Sequence, residues 1–166
     1  NSMQVMKINQ ALQQLGESVT LYAAGEDRVK WDELSALYGI QTPFPVVRLG
    51  SGGLLRQLSL SLRGVKKARR DGMDLVFSRT LWVAFIACLH SFPVVLELHD
   101  LPVGRFGPLL YRWLLRTRRP VLFVYITAAL KELADKASGM QAGPGRFIIS
   151  PDGVDLSLYA NLPESA

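Results

Sequence analysis

The sequence predicts an α/β fold, a doubly wound and mainly parallel Rossmann-like sheet with helices on both faces. Strand-like and helix-like segments alternate along the whole chain, the pattern of βα units around a parallel sheet. Two strand segments, residues 94–98 and 121–126, are unbroken apolar runs rich in β-branched and aromatic residues, as expected of strands buried on both faces. At 166 residues the chain is long enough for one good core, and no repeat, low-complexity tract or internal linker divides it.

The elements follow in order. Val5, Ile8, Leu12 and Leu15 are spaced three and four apart, one face of a helix that Asn1 or Ser2 can cap and Gly16 ends. Residues 18–23 then read as a strand. A parallel α/β domain normally opens with a strand, whereas this chain opens with a helix, so the expectation is a fragment whose first strand and loop are missing. Residues 27–38 carry a short helix with Trp31, Leu34 and Leu37, closed by Gly39. Residues 44–49 form a strand that Pro45 moves towards an edge. Gly50, Ser51, Gly52 and Gly53 precede a helix, where free amides can cradle phosphate. The turn lacks the Walker lysine and the three-glycine dinucleotide spacing, so an ordinary loop is the first reading.

The helix over 54–70 is two-faced. Leu54, Leu55, Leu58, Leu62 and Val65 make an apolar arc, and Arg56, Arg63, Lys67 and Arg70 repeat on the opposite side. That stripe is either a solvated face or a contact for an anionic membrane surface. Residues 74–79 form a strand ending in Ser78, Arg79 and Thr80. Thr80 is placed to cap an apolar helix, 81–89, expected to be buried nearly all round. Residues 104–119 interleave Tyr111 and Trp113 with Arg105, Arg112, Arg116, Arg118 and Arg119. Of these, Arg112, Arg116 and Arg119 are expected along one side of a helix. Basic residues interleaved with aromatics can stack on bases or seat at a lipid interface, and with no nucleic-acid module a lipid contact or mere solubility comes first. After the strand 121–126, Thr127 is a candidate cap for a helix over 128–137 with Leu130, Leu133 and Ala134 inward. The last strand, 147–149, leads into Ser150, Pro151, Asp152 and Gly153.

The totals narrow the function. The chain is 49% hydrophobic and 20% charged with a formal charge of +5, which favours anionic partners and names none. No nucleic-acid module is present, and acidic residues are scattered among the basic ones. The single Cys88 excludes a disulfide framework or Cys-rich metal site and reads as buried filler, so a reducing, cytoplasmic setting is expected. No signal peptide opens the chain. The longest apolar stretch, 81–98, is broken by His90, Ser91 and Pro93, and neither half reaches the ~20 residues that span a bilayer.

Ligands of an open parallel sheet bind beyond the carboxyl ends of its strands. The strand over 94–98 ends in Glu97, His99 and Asp100, with Glu97 and His99 on one face and Asp100 on the other. A histidine at the carboxyl edge of a strand, such as His99, can donate or accept a hydrogen bond to a hydroxyl. Glu97, Asp100, Arg79, Thr127, Asp152 and Gly153, all at strand ends or the loops that follow, are candidate substrate contacts. No metal ligand set is expected.

Three stretches together resemble the N-terminal half of a family-4 retaining glycosyltransferase of the GT-B fold. The opening helix runs into Gly16, Val19, Thr20 and Leu21. The strand over 94–98 ends in a Glu-x-His-Asp pattern at Glu97, His99 and Asp100. Ile148 to Tyr159 is similar to the family's Pro-Asn-Gly-Val-Asp signature, with Asp152 where the family has Asn. The resemblance implies an acceptor-side domain over 1–160, with 161–166 beginning the crossing to a second, nucleotide-binding domain. It implies sugar transfer with retention from a nucleotide-diphosphate sugar to a glycan or lipid-linked acceptor, with no further cofactor and His99 in the active site. The family's glycine-rich loop after the first strand and its Glu-x(7)-Glu motif are not in this sequence. The isolated domain is therefore expected to be inactive, open to self-association, and peripheral on the inner membrane face through Arg56, Arg63, Lys67 and Arg70. A non-catalytic α/β binding or regulatory module is the alternative.

Overall fold

The computed structural model of the protein describes residues 2–25, 30–50 and 56–153. Among them helices and strands alternate from α1 (Ser2–Gln14) to β6 (Phe147–Ile149), and every strand pairing is parallel. The larger sheet has the order β3 (Val76–Ser78), β4 (Val94–Leu98), β5 (Val121–Tyr125), β6. One face of it, Val94, Leu96 and Leu98 beside Val121, Phe123 and Tyr125, is the main core. Four helices supply the other half of that core. They are α3 (Arg56–Arg70) through Val65, α4 (Leu81–Leu89) through Ala84 and Cys88, α5 (Gly107–Arg116) through Leu114, and α6 (Ala128–Ser138) through Ala134. This is a Rossmann-like α/β fold.

The core carries two polar devices. Tyr111 and Tyr125 are both fully buried, and their hydroxyls meet at 2.6 Å, each satisfying the other. Burial drives both phenols above their ordinary range. Arg146 reaches back from the turn before β6 to donate to the carbonyls of Leu114 and Leu115 at 3.0 and 2.9 Å, closing the last turn of α5.

A smaller sheet pairs β1 (Leu21–Ala23) with β2 (Val46–Arg48), which is an edge strand as Pro45 predicts. Met6 of α1, Leu34 of α2 (Trp31–Tyr38), Ile40 and Phe44 form its own core. Tyr22 of β1 turns to the other side, packs on the main core, and donates to Asp71 at 2.6 Å. A groove of about 1220 Å³ runs between β1 and β3, lined by Val5, Ile8 and Leu12 of α1, by Gly64 of α3 and by Phe77 and Val95. Both strands present an open edge to it. Leu21 and Ala23 spend their backbone groups on β2, so alternation turns those of Tyr22 to the groove. Val76 bonded to Pro93 does the same for Phe77.

Several expected faces shift. The Val5, Ile8, Leu12 arc of α1 lines the groove, Leu15 is 79% exposed, and Met6 and Gln10 are the residues buried. Leu133 is exposed rather than inward, and Leu37 of α2 is exposed as well. The helix α4 is not buried all round, because Leu89 is 56% exposed. Thr80 occupies its N-cap position without a side-chain cap bond; the Ser78 hydroxyl accepts from the Thr80 amide instead. Lys67 pairs with Asp71, so an acidic residue does interrupt the basic stripe of α3. The helix α5 ends at Arg116, and Arg119 lies beyond it, donating to Ser91 at 2.8 Å. Asp27, residues 51–55, the Arg56 side chain and residues 154–166 lie outside the described residues. No helix among those described is long and apolar enough to cross a membrane.

Leu96 is fully buried at the centre of the larger sheet. Leu96→Ala is expected to cost about 2–5 kcal/mol, read as a lowered urea midpoint at unchanged slope. Cys88 is buried as filler, and burial pushes its thiol up to about 11. The native state therefore favours the neutral thiol. Its contribution is whole below the unfolded value of ~8.5 and is lost as pH rises through the native value. At pH 8, Cys88 is expected to resist a thiol reagent until denaturant is added; stoichiometric labelling of the native protein would contradict this.

Candidate functional site

The site follows from how two adjacent strands end. Ser78 stands opposite Leu96 in the β3–β4 register, so the next residue on each strand brings Arg79 beside Glu97. Glu97 belongs to the face of β4 opposite the main core, yet it is only 6% exposed. A carboxylate held there needs a counter-charge, and the Arg79 Nε donates to its Oε2. Gln4 of α1 accepts from the same guanidinium at 3.4 Å, which ties the first helix to the strand ends.

His99 completes the cluster two residues on. Its Nε2 lies 3.1 Å from Glu97 Oε2, at ion-pair distance but without hydrogen-bond alignment, and has no hydrogen-bond partner among the described residues. Its Nδ1 is 3.9 Å from Asp152 Oδ2. Asp152 arrives from the far side of the sheet. β6 pairs with β5, the Ser150 amide donates to the Tyr125 carbonyl at 2.9 Å, and the loop then turns towards β4. The imidazole thus stands between two carboxylates, one buried and already paired, the other more open to solvent. A ring so flanked has a carboxylate near each nitrogen, neither of them in hydrogen-bond geometry.

Glu97, His99 and Asp152 place three potential ligand atoms within 4.8 Å of one another. Carboxylate, imidazole and carboxylate could hold a divalent cation. Arg79 already occupies Glu97 with positive charge, and a cation would have to compete with it.

The other candidates are arranged differently. Asp100 is exposed and joins no pair in the cluster, in line with its place on the opposite face. The Thr127 hydroxyl accepts from the Leu130 amide at 3.0 Å, the N-cap of α6. Gly153 is exposed, with open space where a side chain would stand. The phosphate-cradle candidate at 51–53 lies outside the described residues. Two roles escaped sequence reasoning: Arg79 as the partner of Glu97, and Gln4 as a support for Arg79. Only the β3–β4 register could have revealed the first, and nothing local marks the second.

The family model for Glycosyltransferase Family 4 matches residues 2–158. The chain belongs to that family. No curated protein matches, and neither does any solved structure. As a family 4 N-terminal domain, it carries its cluster where the sheet architecture places ligand sites, at the carboxyl edge.

Removing Arg79 leaves a buried carboxylate without its counter-charge. Arg79→Met is expected to lower stability by about 3–5 kcal/mol in urea unfolding, and Glu97→Met in the same chain to restore much of the loss. Equal loss in the single and double variants would separate the two residues energetically.

Proposed function

We propose that this family 4 domain is the acceptor-side half of a retaining GT-B glycosyltransferase. The reaction moves a hexose from a nucleotide-diphosphate sugar to a glycan or lipid-linked acceptor. The observation that carries the reading is His99, oriented at the carboxyl edge of the sheet by Glu97 on one side and Asp152 on the other.

In this reading Arg79 acts through Glu97, neutralising it and fixing its direction. Glu97 then holds the buried Nε2 side of the imidazole. The Nδ1 side faces the loop at 150–153 and is available for a hydroxyl of the sugar being transferred or of the acceptor. Asp152 and Gly153 lie on the loop that faces this side, Asp100 follows His99 in the chain, and Thr127 stands at the end of the neighbouring strand. These residues are assigned binding and orientation. The nucleotide is held mainly by a second domain, so this domain alone is inactive. No metal or other cofactor is assigned to the chemistry.

Arg63 and Arg70 on α3 support a peripheral position on the cytoplasmic face of an anionic membrane. Lys67 contributes less because Asp71 neutralises it. The open edges of β1 and β3 favour self-association of the isolated domain.

The test is a transfer assay across a panel of nucleotide sugars, with the full-length enzyme that carries this domain. His99→Ala is expected to lower kcat/KM by about 10²-fold or more with the fold intact. Unchanged activity would remove His99 from the site, and no turnover with any donor would favour a binding module.

A further inference from the structure

Exposed aromatic and apolar side chains stand on α4, α5 and the loop between β4 and α5. Val103, Phe106 and Leu109 are 76%, 49% and 62% exposed, and Leu89 and Trp113 are 56% and 37% exposed. They form a connected surface, because Trp82 packs edge-on against both Phe85 and Phe106, and Phe85 against Trp113 at 4.8 Å. A folded domain seldom leaves so much aromatic surface in water without a partner.

The two segments that carry this surface hold charge of one sign. Residues 101–120 contain five arginines and no Asp or Glu, and residues 80–95 contain no charged residue other than His90. Arg112 donates to the Ser138 carbonyl and Arg119 to Ser91, so both are partly engaged within the fold. Arg105 lies over the Phe106 ring, and neither it, Arg116 nor Arg118 pairs with a carboxylate among the described residues. Tryptophan and phenylalanine flanked by unpaired arginines match a bilayer interface, where the rings enter the acyl boundary and the guanidinium groups meet anionic headgroups.

Placement gives the surface a use. Val103 follows His99 by four residues, and Trp82 follows Arg79 by three, so the patch begins at the carboxyl edge where the candidate site lies. The helix α3 packs on α4, and α4 on α5, along one side of the sheet. A membrane touching α4 and α5 is therefore flanked by the cations of α3.

We propose that the Trp82–Phe106–Trp113 surface with Arg105 and Arg116 seats this domain on an anionic lipid bilayer, with the His99 edge directed to the lipid. This names the membrane contact more closely than the α3 stripe does and rests on exposure and charge, not on sugar transfer.

The test uses the protein with phosphatidylcholine vesicles, with and without a third of phosphatidylglycerol, in a Trp31→Phe background. Binding to the anionic vesicles is expected to blue-shift the Trp82 and Trp113 emission and shield it from an aqueous quencher. Leu109→Ser with Val103→Ser, two exposed positions that leave the fold intact by circular dichroism, is expected to abolish the shift. Arg105→Ala and Arg116→Ala are each expected to weaken binding by roughly fivefold at low salt. Arg63→Ala with Arg70→Ala on α3 should weaken binding without removing the shift. Three results would overturn the proposal: no binding to anionic vesicles, binding lost only in the α3 variant, or a wild-type dimer that Leu109→Ser dissociates. None of these readouts involves turnover, so failure here is distinguishable from failure of the His99 assignment.

Discussion

Glu97 is buried on the face of β4 opposite the main core, and a carboxylate in that position has to be paired. Arg79 meets this requirement from the neighbouring strand, and much else is arranged by the pairing. It aligns the ends of β3 and β4, gives Gln4 of α1 a group to accept from, and sets the same carboxylate oxygen, Oε2, beside His99. A buried ion pair of this kind is weak support for stability, since desolvation of both charges offsets most of their attraction. Its value is in geometry.

The same strand joins the core to the chemistry. Val94, Leu96 and Leu98 alternate with Val95 and Glu97, so every side chain that anchors β4 also sets the direction of Glu97. His99 is one residue past the last ladder pair, close enough to inherit the rigidity of the strand and free enough to face solvent. Asp152 is brought to it by the order of the sheet rather than by any local motif. β6 lies two strands away, and its loop must turn back across β5 to reach the imidazole.

The domain is less regular on the β1 side. Two parallel ladders stand with open edges towards a common groove, linked by Tyr22 and Asp71. An apolar helix face, the Val5–Ile8–Leu12 arc, borders that groove instead of a closed core. The arginines show a comparable division. Arg112, Arg119 and Arg146 close helix or turn carbonyls or meet a hydroxyl, while Arg105 lies over the Phe106 ring and neither it nor Arg116 has a carboxylate partner among the described residues. Counting basic residues along the chain does not separate these roles, because each depends on which carbonyl or ring comes within reach.

What the sequence determined by itself was the alternation of elements, the buried β4 and β5 strands, the N-cap at Thr127, the edge position of β2 and the burial of Cys88. Each depends on side-chain periodicity, a cap or a single conformational restriction, all local quantities. The family could also be read there, from the Glu-x-His-Asp strand end and the Asp152-Gly153 loop. Only the tertiary structure decided that Arg79 belongs to Glu97, that Asp152 approaches the far nitrogen of His99, and that Leu89, Leu109 and Trp113 stay exposed. Those outcomes depend on strand order and register and on which helix covers which face. These relations join residues distant in sequence, and no local pattern encodes them.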